Sequence, residues 1–359
     1  MSETSQGYRT NTSDEHDILQ LLRGFAILLV VFQHSAILYF DSDFCMRLIS
    51  FCVFIDVHIF MFVSGYLFQK KREKYQAIGM KRFAAKKFRS LGVPYLFWES
   101  LFYFGAFLLY KLPVSGGISL MNTLGFGKLS LSQIFVGLLT FRYSYIQLYW
   151  FLYALFWVFI INYALMRYSG KIQIAVLMLL FVLFSVLAVV FVNDQHILLK
   201  ISRSILTFGF GRLFQQFRLE KPFLNDPVML MVSLFVLYFV YRIPVSVGSE
   251  YLGAVFASLR ISAIGIAGIL FFFNLSSFLL IYKSKISALV TVLGDYSLPI
   301  YLLHNPFIVH ASAVVFKHMS VSPGAANALS IALGLIIPIL LYKYVIRKSA
   351  LTSRLLLGI

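Results

Sequence analysis

Apolar runs of about twenty residues recur from one end of this chain to the other. That spacing leaves few folds open. A helix needs roughly 20 apolar residues to cross the hydrocarbon of a bilayer. Inside it, each backbone polar group must be satisfied within the segment. Ten such runs fall at about 18–40, 44–68, 91–110, 147–166, 172–192, 197–216, 223–241, 253–281, 290–316 and 325–345. The chain is 60% hydrophobic and 13% charged, with a mean hydropathy of +0.84. A soluble domain does not reach such values. The expected fold is all-α, a polytopic membrane protein with about ten transmembrane helices. Two runs are atypical: 197–216 carries Arg203 and Arg212, and 253–281 is over-long. Residues 111–146, with Gly116, Gly117, Gly125 and Gly127, are expected to form a loop.

The net charge of +17 raises the question of nucleic acid, but its placement argues against it. Nine basic residues crowd the segment after the second run: Lys70, Lys71, Arg72, Lys74, Lys81, Arg82, Lys86, Lys87 and Arg89. Every second connection thereafter is basic too, with Arg167 and Lys171, Arg218 and Lys221, Lys283 and Lys285, and Arg347, Lys348 and Arg354. The intervening connections carry fewer cations. Cytoplasmic loops of membrane proteins are enriched in Lys and Arg in this way. The expected topology therefore places both termini in the cytoplasm. Residues 1–17 read as a cytoplasmic N-terminal tail, 18–345 as one transmembrane domain and 346–359 as a short cytoplasmic C-terminal tail. The two cysteines, Cys45 and Cys52, lie seven apart in one run and build neither a disulfide framework nor a zinc site.

Ionisable groups at membrane depth are costly and point to function. Arg23 and His34 lie eleven residues apart in the first run. Eleven helical residues turn through roughly 1100°, close to three full turns, and rise about 16 Å. Both side chains then share one stripe. Asp56 and His58 fall in the second run, which ends on Ser64 and Gly65. Glu99 lies in the third and Arg260 in the eighth. Ser297, Tyr301 and His304 share a face of the ninth, at i, i+4 and i+7.

These residues resemble the acyltransferase-3 family of bacterial membrane O-acyltransferases. Leu22-Arg23-Gly24 through Gln33-His34 is similar to that family's Arg-x10-His signature. Phe60-Met61-Phe62-Val63-Ser64-Gly65-Tyr66 resembles the end of its second span. Trp150-Phe151-Leu152 and Leu293-Gly294-Asp295-Tyr296-Ser297 through His304 resemble later landmarks, in family order. The chain departs from the family at His58, where members often carry proline. It departs again at Lys86-Lys87-Phe88-Arg89, where the usual spacing is Arg-x-x-Arg.

The resemblance implies transfer of an acyl group, often acetyl, to a surface carbohydrate at the bacterial inner membrane. The acyl donor is expected to be acetyl-CoA, with no permanently bound cofactor and no metal. The acceptor is a surface glycan or its lipid-linked precursor. A sugar hydroxyl is a poor nucleophile until a base takes its proton, and histidine suits that work near neutral pH. His34, Glu99 and His304 are the expected catalytic residues. Arg23, Lys86, Lys87 and Arg89 are expected to hold the phosphates of the donor. Ser64, Asp56 and Tyr301 complete the expected substrate contacts. A transporter or flippase for a lipid-linked sugar, its path lined by the buried charges, is the alternative. Matched halves, which many transporters show, are not evident in this sequence.

Overall fold

Apolar runs interrupted by polar turns fold here into helices alone. The computed structural model describes residues 12–111, 129–141, 148–191, 195–219, 226–244, 248–282 and 285–359, with no strand among them. In chain order the helices are α1 (Thr12–Ala36), α2 (Asp43–Val53), α3 (Asp56–Lys70), α4 (Arg72–Lys87), α5 (Val93–Lys111), α6 (Leu131–Thr140) and α7 (Trp150–Leu165). They continue with α8 (Gly170–Val190), α9 (Gln195–Gln216), α10 (Pro227–Arg242), α11 (Glu250–Ile281), α12 (Lys285–Asp295), α13 (Ser297–Leu303), α14 (Val309–His318), α15 (Pro323–Tyr344) and α16 (Ala350–Leu357).

Among the described residues, seven helical segments are long and apolar enough to cross a membrane. Leu131–Thr140, Trp150–Leu165 and Pro227–Arg242 are apolar but shorter. The described residues of all ten expected runs are largely helical. The run at 197–216 is helical as α9, and its cations set it apart from the seven.

Four departures from the expected elements matter. The second run is not one helix: Phe54 and Ile55 interrupt it, and α3 begins afresh at Asp56. The ninth run divides into α12, α13 and α14, with a π-helical turn at His304–Ile308 in which Asn305 is extended. The loop expected over 111–146 contains α6, because Ser130 and Gln133 form a capping box that starts a helix. The four glycines on which the loop reading rested lie outside the described residues. The expected C-terminal tail is also folded. Trp98 Nε1 donates to the Leu356 carbonyl at 3.0 Å, and Leu357 is fully buried.

Contacts fix which ends of the helices meet. Lys70 pairs with Glu15 at 2.7 Å, joining the end of α3 to the start of α1. At the other end Gln33 of α1 reaches Asp56 of α3. The two helices are therefore antiparallel, with the basic segment at one end and His34 and Asp56 at the opposite end. Helix α9 runs parallel to α3, because Arg203 lies beside His58 and Arg212 beside Phe68.

Close backbone crossings hold these helices in register. A Cβ at Gly211 of α9 would lie 2.2 Å from the Phe62 carbonyl oxygen, and one at Gly65 of α3 would lie 2.1 Å from the Phe208 oxygen. The same happens between α1 and α12, where a Cβ at Gly24 would meet the Val290 oxygen at 2.0 Å. Small residues at such crossings let membrane helices pack backbone to backbone. Overpacking typically costs about 1–3 kcal/mol, and backbone atoms yield least. Gly211→Leu should therefore lower the melting temperature sharply and broaden the size-exclusion peak in detergent. Gly105→Leu, where a Cβ meets nothing within 4 Å, should do neither.

Candidate active site

The interruption at Phe54–Ile55 determines where the site forms. It places Asp56 in the first turn of α3, where a carboxylate suits the positive end of the helix dipole. The Asp56 carboxylate accepts the Val57 backbone N–H and, at 2.5 Å, the Gln33 Nε2 donor. His58 follows, packed so tightly against α11 that a Cβ at Gly265 would strike its ring.

A cavity of about 250 Å³ opens beside this turn. Its polar lining includes His34, Asp56, His58, Lys200, Arg203 and Tyr301. Tyr301 donates its hydroxyl to the Leu148 carbonyl, which keeps the ring at the cavity wall. Lys200 stands over the Trp150 ring at 4.8 Å. The Arg203 guanidinium forms no hydrogen bond or ion pair among the described residues, and its Nε is buried. The lining thus combines one carboxylate, two histidines and two cations in an apolar surround, where charges interact more strongly than in water.

His34 is held by a chain of bonds that fixes its tautomer. The Nδ1 of His304 lies 2.9 Å from the carbonyl oxygens of both Ile300 and Tyr301. Carbonyls only accept, so this Nδ1 carries the proton and His304 Nε2 is an acceptor. The Nδ1 of His34 lies 2.8 Å from the Val30 carbonyl and 3.5 Å from His304 Nε2. By the same reasoning it is the donor. Nε2 of a neutral His34 is then left with a lone pair and no protein partner among the described residues, on a side chain that lines the cavity. His304 itself is fully buried behind His34, with the rings edge to face at 5.1 Å. A base oriented by a second group is the arrangement on which nucleophile activation rests.

The other expected site residues are spread more widely. Arg23 shares the His34 stripe but lies at the basic end, donating to Gln20 Oε1 at 3.1 Å. Ile27 and Val30, both buried, fill the stripe between the two. Lys87 stands 3.4 Å over the Phe159 ring, with Tyr75 and Phe83 nearby, a cation–π seat turned into the protein. Lys86 and Arg89 are exposed. Glu99 is buried in α5 near Tyr95 and Tyr149 and does not line the cavity. Ser64 is two turns along α3 from Asp56, also outside it. Arg260 caps α10, donating to the Tyr241 carbonyl at 2.6 Å.

Sequence reasoning did not assign Lys200 or Arg203 to the site. The signal was present as charges inside an apolar run, which had counted only against that run as a membrane span. His310 was missed as well. It lies within electrostatic reach of His34 and His304, and its Nδ1 meets Asn305 Oδ1 at 2.5 Å. Among the described residues no cluster of His, Cys, Asp and Glu is placed to hold a metal ion.

Comparison with protein families decides the class. The family model described as an acyltransferase domain, Acyl_transf_3, matches residues 16–343. The chain belongs to the acyltransferase-3 family. That match spans every helix from α1 to nearly the end of α15, including all residues lining the cavity. The family and the apolar helices together make this a multi-pass membrane acyltransferase. No curated protein and no solved structure matches the chain significantly.

Proposed function

We propose that this protein is an O-acyltransferase that moves an acetyl group from acetyl-CoA to a hydroxyl of a cell-surface glycan or its lipid-linked precursor. The observation that carries the reading is His34, whose Nδ1 is occupied while Nε2 is available at the cavity. In the reaction the acceptor hydroxyl lies against His34 Nε2, which takes its proton as the oxygen attacks the thioester carbonyl. A new carbon–oxygen bond forms and the carbonyl oxygen becomes an anion. The Arg203 guanidinium, which has no carboxylate partner among the described residues, stabilises that charge. Collapse of the intermediate breaks the carbon–sulfur bond, and protonated His34 returns its proton to the CoA thiolate. Tyr301 and Asp56 shape the wall against which the sugar rests.

In this reading the basic end faces the cytoplasm of a bacterial inner membrane, and the donor approaches from that side. Arg23 holds a donor phosphate there, and the arm of CoA must displace Ile27 and Val30 to bring the thioester to His34. Arg23→Ala should therefore raise the KM for acetyl-CoA with little change in kcat, the sign of lost uniform binding. Arg23→Lys should restore only part of it, since a point charge does not replace a bidentate fork.

The test of the function is transfer of radiolabel from acetyl-CoA to glycan in membranes with and without the protein. Glycan that is labelled equally in both overturns the proposal, as does a protein that exports the acceptor without modifying it.

A further inference from the structure

A second cavity, of about 450 Å³, lies at the basic end of the molecule, far along α9 from His34 and Arg203. Its lining includes Arg72, Lys171 and Arg212, and no carboxylate among the described residues. Arg212 is only 6% exposed. Its Nη1 donates to Asn162 Oδ1 at 2.6 Å and its Nη2 to Gln173 Oε1 at 2.5 Å, while the buried Nε has no partner. Two neutral amides thus hold a buried guanidinium in place without compensating its charge. Arg72, which spends one donor on the Met166 carbonyl at 3.0 Å, lies close enough to Arg212 to repel it. A buried cation that faces a second cation without a counter-charge is costly, and an anion between them reverses the sign of the interaction.

A helix terminus adds to the same field. The 21-residue helix α8 begins at the rim with Ser169 and Gly170; Ser169 Oγ caps the Ile172 N–H, and the positive end of the helix dipole joins the three cations. The remaining wall is apolar. Ile174 and Phe217 are 50% and 63% exposed, on the surface that a bilayer would cover.

We propose that this cavity binds a phosphate ester anion, with Arg212, Arg72 and Lys171 as its cationic contacts. The apolar wall favours the head group of an anionic phospholipid, its chains lying along Ile174 and Phe217. The same phosphate chemistry is offered by a soluble nucleotide. The proposal is independent of the transfer reaction, because its readout is binding.

Native mass spectrometry of the detergent-purified full chain, titrated with phosphatidylglycerol or with adenosine 3′,5′-bisphosphate, tests it. Phosphatidylcholine is the neutral control. Phosphatidylglycerol should bind in preference to phosphatidylcholine. Lys171→Gln and Arg72→Gln, both on accessible side chains, should each weaken that binding by about tenfold, as expected for loss of one charge-assisted contact. Lys81→Gln, in the same basic segment but outside the cavity, should leave it unchanged. Binding of the bisphosphate with the same sensitivity to Lys171→Gln, and none of the lipid, keeps the site and makes its occupant soluble. Equal binding of neutral and anionic lipid without nucleotide binding overturns the proposal, and so does equal weakening by Lys81→Gln and Lys171→Gln.

Discussion

His34→Gln should be as inactive as His34→Ala, with transfer reduced about 10²–10⁴-fold, the usual worth of a general base. Glutamine retains a hydrogen-bonding group of similar reach, so it satisfies the Val30 carbonyl and fills the same space. What it lacks is a lone pair that accepts a proton at neutral pH. A purely structural His34 therefore predicts that Gln resembles wild type while Ala does not. The pH profile adds a second readout. A base must be neutral to act, so the rate should fall on the acid side as the His34 site takes up a proton, and this limb should be absent from the residual activity of either variant. Binding of acetyl-CoA should survive in both, because the donor anchor lies at the far end of α1. An active His34→Gln enzyme with the wild-type acid limb would remove His34 as the base and turn attention to His304.

Much of this arrangement was legible in the sequence because helix geometry is local. The phase relation between Arg23 and His34 needs only 3.6 residues per turn, and both remain on one long helix. The described residues of the ten apolar runs are largely helical, since hydrophobic length is the strongest signal a membrane segment carries. The breaks were harder to see. Nothing in Phe54-Ile55 announces a helix end by residue type, yet that end puts Asp56 at an N-terminus and against Gln33. Which helix faces which was not readable either. The contact of His34 with His304 spans 270 residues, and the meeting of His58 and Arg203 at one cavity depends on the crossing of α3 and α9 at Gly65 and Gly211. Lys87 shows the same limit. Its position in a basic cluster suggests a phosphate contact, while the fold seats it on the Phe159 ring. A charge in sequence states what a group is and leaves open which way it points.

Arg203 supplies the other large effect, and a different kinetic signature. It is a cation of the cavity lining without a carboxylate partner among the described residues, and the tetrahedral intermediate is where negative charge newly appears. An interaction that exists only in the transition state lowers kcat and kcat/KM by the same factor. Removing one such donor typically costs about 10²–10³ in kcat. Arg203→Gln should show that loss with the KM values for donor and acceptor nearly unchanged, and with the acid limb from His34 preserved. Lys200→Gln is the informative comparison: this cation is seated on the Trp150 ring, so its removal should cost less. If Arg203 instead served to bind an acidic group on the acceptor, Arg203→Gln would raise the acceptor KM and leave kcat near wild type. That result would reassign Arg203 from the reacting carbonyl to acceptor recognition. Retained kcat and retained KM together would remove it from the site, leaving the unpaired guanidinium without a catalytic role.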